Sequence, residues 1–125
     1  MSFSVKTRRL ASDVYVIDAL GKLTIGDPIQ MFRAALRGRL NEGLRKVVLN
    51  LGGVSYIDSS GLGELVCSFR EIRESGGDVK LLRITPKTRE LLQITKLITI
   101  FDLYEDEPAA VASLDAGPEA RAANR

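Results

Sequence analysis

Tyr56-Ile57-Asp58-Ser59-Ser60-Gly61-Leu62-Gly63 joins two runs of different periodicity. Before it, Lys46-Val47-Val48-Leu49-Asn50-Leu51 is nearly continuous apolar sequence and reads as a buried strand. After it, Leu62, Leu65, Val66, Phe69 and Ile72 recur at offsets of three and four, which places them on one helical face. An acid and two hydroxyls therefore stand where a helix begins. Short oxygen-bearing side chains belong there, because they accept hydrogen bonds from the unpaired N–H groups of a first turn. Gly61 and Gly63 add little cover, which leaves the hydroxyls approachable. Taken alone, the pattern is satisfied by a polar helix cap after a strand.

The flanking sequence extends the alternation. Phe3, Val5 and Thr7 interleave with Ser4, Lys6 and Arg8, the period of a half-exposed strand. Ala11-Ser12-Asp13 is a short link to a second strand, Val14-Tyr15-Val16-Ile17, and so short a link allows only an antiparallel pair. Gly21-Lys22-Leu23-Thr24-Ile25-Gly26 reads as a loop. Asp27 is expected as the cap of a first helix, with Pro28 at its first position and Gln30 reaching back. Ile29, Phe32, Leu36 and Leu40 form its apolar face, and Gly43 closes it. The helix after Asp58 ends at Gly76-Gly77, and Val79 to Ile84 reads as a strand. Thr85-Pro86 repeats the cap-then-proline start for a short helix with Leu91, Leu92 and Ile94 on its apolar side. Ile98 to Tyr104 reads as the last strand, and Glu107-Pro108 opens a final helix carrying Ala110, Val111 and Leu114.

Strands alternating with helices imply parallel pairing through crossovers. The expected architecture is α/β: a five-stranded mixed sheet in the order 1-2-3-4-5, strand 1 antiparallel, with about four helices. Residues 1–115 form one domain. Residues 116–125, dominated by Ala, Gly, Pro, Glu and Arg, are expected as a disordered tail.

Composition narrows the chemistry. With 45% hydrophobic and 27% charged residues the chain suits a folded globular domain. A net charge of +2 and 6% aromatics with no Trp argue against a nucleic-acid partner. The absence of His removes Ser-His triads and the commonest zinc ligand, so no metal and no cofactor are expected. Cys67, alone, forms no internal disulfide and reads as a small buried thiol in the second helix. No run approaches a membrane span, and a reducing cytoplasm fits. Arg33, Arg37, Arg39, Arg45 and Lys46, opposed only by Glu42, read as a solvated helix face. Ser59 lacks the Gly-x-Ser-x-Gly elbow and the Ser-x-x-Lys motif of serine nucleophiles, so an enzyme is not expected.

Asp58-Ser59-Ser60-Gly61-Leu62-Gly63 after a hydrophobic strand resembles the signature of the STAS domain family, the bacterial anti-sigma-factor antagonists. The likeness runs from about Phe3 to Leu114. In that family the first serine after the aspartate is phosphorylated by a partner kinase, which on this chain implies Ser59. The resemblance implies a regulatory switch: unphosphorylated, the domain sequesters an anti-sigma serine kinase and frees a sigma factor. A serine phosphatase resets it, in a monomer or weak dimer. The partner surface is expected to include Asp58, Ser60, Gly61, Leu62, Gly63, Lys22 and Thr24. Asp58 is read both as a cap and as an aid to kinase recognition, Ser60 as a capping residue, and Gly61 and Gly63 as close-approach positions for the partner or for the sheet. Many family members carry Gly-Glu-Leu-Asp after the second strand, where this chain has Gly21-Lys22-Leu23-Thr24. A scaffold or transport-associated STAS module that binds constitutively is the alternative.

Overall fold

A computed structural model of the chain describes residues 3–43 and 45–115. The expected tail, 116–125, lies outside the described residues. Five strands, β1 (Ser4–Arg9), β2 (Val14–Leu23), β3 (Lys46–Ile57), β4 (Asp78–Leu82) and β5 (Asp102–Tyr104), lie in that order in one sheet. β1 is antiparallel to β2 and every other pair is parallel. The α-helices are α1 (Asp27–Asn41), α2 (Ser59–Glu74), α3 (Pro86–Ile94) and α4 (Glu107–Asp115).

Alternation along the strands divides the core. Tyr15, Ile17, Val47, Leu49, Val79 and Leu81 face one way, into a large cluster with Ile29, Phe32 and Leu36 of α1, Leu65 and Ile72 of α2, and Leu92 of α3. Val14, Val16, Val48 and Leu82 face the other way, against Ala110 and Leu114 of α4. The sheet is thus buried on both faces, as parallel strands require.

Several elements, and the setting of Cys67, differ from the sequence expectation. β2 and β3 run on past Ile17 and Leu51, and Leu20 to Leu23 pair with Gly53 to Ile57 across two register shifts. Gly21-Lys22-Leu23 is therefore strand, and the loop shrinks to Thr24–Gly26. The extension holds because Leu23, Val54 and Ile57 bury their side chains in the main core. Gly26, not Asp27, occupies the cap of α1, and no side chain caps that end. The segment from Ile98 splits into a 3-10 turn, Leu97–Thr99, and the three-residue β5, and β4 stops at Leu82. Cys67 is exposed, one position off the buried stripe of α2.

The arginines of α1 are tied down. The guanidinium of Arg33 donates through Nε (3.2 Å) and Nη2 (2.6 Å) to Oε1 of Glu64, a carboxylate only 5% exposed on α2. The outer pair Arg37–Glu71 spans 3.2 Å. Together they clasp α1 to α2. Removing one partner of a buried charge leaves the other desolvated, whereas exposed pairs contribute little. Arg33→Ala is expected to lower Tm clearly more than Arg39→Ala, whose partner Glu42 is exposed. Equal shifts in paired thermal melts would show that Glu64 gains nothing from the clasp.

Candidate functional site

The C-terminal ends of β2 and β3 deliver two chain segments side by side. Leu23 and Ile57 are register partners, and Thr24 and Asp58 follow them. Asp58 adopts an extended conformation and caps α2. Its Oδ1 accepts the Gly61 N–H at 2.8 Å, and its Oδ2 accepts the Ile25 N–H at 2.9 Å. One carboxylate thus satisfies a donor of the helix mouth and a donor of the neighbouring loop. The Ile25 N–H, then the Gly61 N–H, hold the Asp58 carboxyl below the usual carboxylate range.

Gly61 permits this arrangement. A Cβ there would lie 2.2 Å from the Leu23 carbonyl oxygen and 3.1 Å from Cγ2 of Ile57. The first turn of α2 therefore rests directly on the backbone end of β2. Gly63 is different: its Cβ would meet nothing within 4 Å.

Ser59, the first residue of α2, is exposed. Its hydroxyl has no hydrogen-bond partner among the described residues and projects at a helix origin, where free N–H groups and the helix dipole favour negative charge. Ser60 is half-buried inside the helix, so Asp58, not Ser60, is the cap. Of the remaining residues read as partner-facing, Gly61 and Leu62 lie beneath the surface and Thr24 is half-buried. Gly63 and Lys22 are exposed, and Lys22 stands in register with Tyr56.

Sequence reading missed the apolar surroundings. Ile25 is 74% exposed, Tyr56 48% and Ile94 71%. Tyr56, Ile57, Leu91 and Ile94, with Lys87 and Glu90, line a groove of about 290 Å³ between the end of β3 and α3. Its spacing predicts Ile94 on the buried side of α3; at the last turn of that helix it is exposed instead. Among the described residues no group of His, Cys, Asp or Glu could hold a metal ion, and no helix is long and apolar enough to cross a membrane.

Residues 10–110 of the chain match the family model of the STAS domain. The chain belongs to the STAS domain family. Within that family it groups with the anti-sigma-factor antagonists. BtrV of Bordetella bronchiseptica, named for an anti-sigma factor antagonist role, is 31% identical over 84 residues, 67% of this chain and 72% of its own. A crystal structure from Thermotoga maritima, described in the same terms, superposes with a TM-score of 0.81 at 27% identity, covering 89% of this chain and 94% of that one. The Bacillus cell fate determinant SpoIIAA, solved in its phosphorylated form, shares the fold with a TM-score of 0.71 at 22% identity, over 88% of this chain and 98% of that one.

Two outcomes follow from the geometry. Gly61→Ala is expected to destabilise the domain by about 1–3 kcal/mol, the usual cost of overpacking. Gly63→Ala, in an exposed helical position, is expected to stabilise it by up to about 1 kcal/mol. Urea unfolding of both variants checks the pair, and equal effects would contradict the close approach of Gly61 to Leu23.

A second outcome concerns pH. A folded carboxyl held below its unfolded value contributes stability that is complete above the unfolded pKa of about 3.9 and is lost as pH falls through the folded value. Asp58→Asn keeps a capping oxygen without the charge. Its stability is expected to fall less steeply than that of the wild type as pH drops below about 4. Parallel slopes in urea titrations would show that the two N–H groups do not favour the ionised form.

Proposed function

We propose that this chain is an anti-sigma-factor antagonist whose grip on its partner is set by phosphorylation of Ser59. The observation that carries the reading is an exposed, unengaged hydroxyl on the first residue of α2, next to a capping carboxylate already committed to the backbone. Unphosphorylated, the domain sequesters an anti-sigma serine kinase in the cytoplasm and frees a sigma factor. The kinase moves the γ-phosphoryl group of ATP to the serine: the bond to ADP breaks, the Oγ–P bond forms, and the hydroxyl proton passes to the kinase. A serine phosphatase returns the hydroxyl by hydrolysis. The STAS chain supplies the acceptor and no catalytic base.

The charge logic supports a switch rather than an unfolding event. A phosphate carries about −1.5 to −2 charge near neutral pH, and a helix N-terminus tolerates it. Facing a packed or acidic partner, the same charge costs several kcal/mol, and each 1.4 kcal/mol is about tenfold in affinity. A hundredfold loss of binding, with the fold intact, is within that range. Exposed Ile25, Tyr56 and Ile94 give the partner an apolar surface that does not depend on the serine. They equally suit the second reading, a scaffold or transport-associated module that binds constitutively.

Incubation with an anti-sigma serine kinase from the same cells, and with radiolabelled ATP, is expected to place one phosphate per chain. Ser59→Ala abolishes the label without lowering Tm, and Ser59→Asp weakens binding of that kinase by about a hundredfold. A complex indifferent to Ser59→Asp favours the constitutive module, and labelling of Ser59→Ala removes Ser59 from the role.

A further inference from the structure

Lys22 occupies a position for which neither the fold nor the core has a use. It lies in the extended part of β2, opposite Tyr56 of β3. Its neighbour Leu23 is fully buried, while Lys22 itself is exposed. Arg33, Arg37, Lys46, Arg73 and Lys80 each meet a carboxylate within 4 Å. Among the described residues no acid pairs with the Lys22 ammonium, and it donates no hydrogen bond.

The charges around the serine can be followed element by element. On the β3–α2 junction stands Asp58, whose two oxygens are occupied by the Ile25 and Gly61 N–H groups. On α2, Glu64 is buried and bound to Arg33. Asp27 opens α1 beyond the Thr24–Gly26 loop, and Lys87 and Glu90 of α3 line the groove on the far side of Tyr56. Lys22 is the cation on the strand that packs against the Ser59 segment, and the Asp58 carboxylate at that junction is already satisfied.

Leu23 faces the core beneath α2, so strand alternation sends Lys22 out from the opposite face of the sheet, and its stem has to fold over the strand end to approach Ser59. Neighbouring strands lie about 4.8 Å apart, and Ser59 is three residues beyond Tyr56, about 10 Å if the chain were extended. The turn into α2 shortens that path. A four-carbon stem with a rotatable ammonium covers what remains, and a phosphoserine extends toward it.

Resting on the reading of Ser59 as a phosphate acceptor, we infer that Lys22 is the counter-ion of the phosphorylated state, folding over the end of β2 to pair with the Ser59 phosphate. Phosphorylation then changes the surface twice. It adds negative charge at Ser59, and it withdraws from any partner the one exposed cation in register with Tyr56. Lys22 is a specificity-determining residue of the switch and not part of the phosphoryl transfer.

The test uses the full chain with phosphoserine installed at position 59 during synthesis, so it needs neither kinase nor partner. The second ionisation of the phosphate, ordinarily near about pH 6, is followed by phosphorus NMR. An adjacent cation favours the dianion. Lys22→Ala is expected to raise that pKa by about half a unit and Lys22→Glu by about one unit, while Lys22→Arg leaves it in place. Lys6→Ala, which removes the same charge from β1, is expected to move it by less than about 0.1 unit. Coincident titrations of the wild type and Lys22→Ala overturn the inference, as does an equal shift from Lys6→Ala. Failure of the anti-sigma serine kinases of its own cells to label Ser59 would instead overturn the switch and leave the titration result standing.

Discussion

The contact on which the site depends is the seating of the first turn of α2 on the end of β2. Gly61 brings the helix backbone against the Leu23 carbonyl, and the Asp58 carboxylate stitches the same helix turn to Ile25 in the adjoining loop. Three separate pieces of chain are fixed by a missing side chain and two hydrogen bonds. Once they are fixed, Ser59 has one place to go. It precedes the buried stripe that begins at Gly61 and Leu62, so its side chain projects to solvent at the helix origin. Exposure of the hydroxyl is a consequence of packing two residues later.

That seat would be soft if α2 could rock on the sheet. The main core fixes one side of the helix through Leu62, Leu65 and Ile72, and the Arg33–Glu64 and Arg37–Glu71 pairs fix its rotation relative to α1. On the opposite face, Arg8 reaches both Asp18 (2.6 Å) and Glu107 (2.9 Å), and Asn50 donates to Asp18 (2.8 Å). This polar cluster joins β1, β2, β3 and α4. The Asp18 carboxyl is held low, first by Arg8. A frame held on both faces lets a surface charge be added at one end without propagating through the core, because packed interiors do not deform continuously.

Much of this was legible in the sequence, and the particular successes and misses have physical reasons. The sheet order followed from strand–helix alternation and the short Ala11–Asp13 link, because short links leave only the antiparallel choice. The Asp58 cap was legible because an acid before a hydroxyl pair and a helical stripe has few other uses. The extension of β2 and β3 was not, because Gly52-Gly53 and Gly21 look like breakers, while their pairing depends on Leu23 and Ile57 reaching a core visible only in three dimensions. Lys80 was equally hidden. It sits in an alternating strand where a lysine suggests solvent, yet it is buried between Asp78 (3.1 Å) and Asp102 (2.5 Å), acids 24 residues apart in sequence. Glu64 had a weak signal: it falls on the stripe of Gly61, Leu65, Ser68 and Ile72, and an acid on a buried stripe asks for a cation. The apolar rim of Ile25, Tyr56 and Ile94 had none, since periodicity assigns a residue to a face and does not say where that face ends.

The rim and the serine together indicate how a small charge can control a sizeable contact. An apolar surface supplies most of the attraction in a protein interface and little of its discrimination, while charges at its border set which partner and which state are accepted. Under the proposed switch the border is built from the exposed Ser59 hydroxyl, a carboxylate already satisfied, and a lysine that is not. A phosphate placed farther from Ile25, Tyr56 and Ile94 would be screened over a Debye length of about 8 Å and would leave their contacts untouched. One placed within the apolar groove would have to be desolvated in the free protein and would destabilise it. Under the proposed switch the mouth of α2 would avoid both: the residue before Ser59 is bonded to the Ile25 N–H, and the serine itself is exposed at a helix end that favours negative charge.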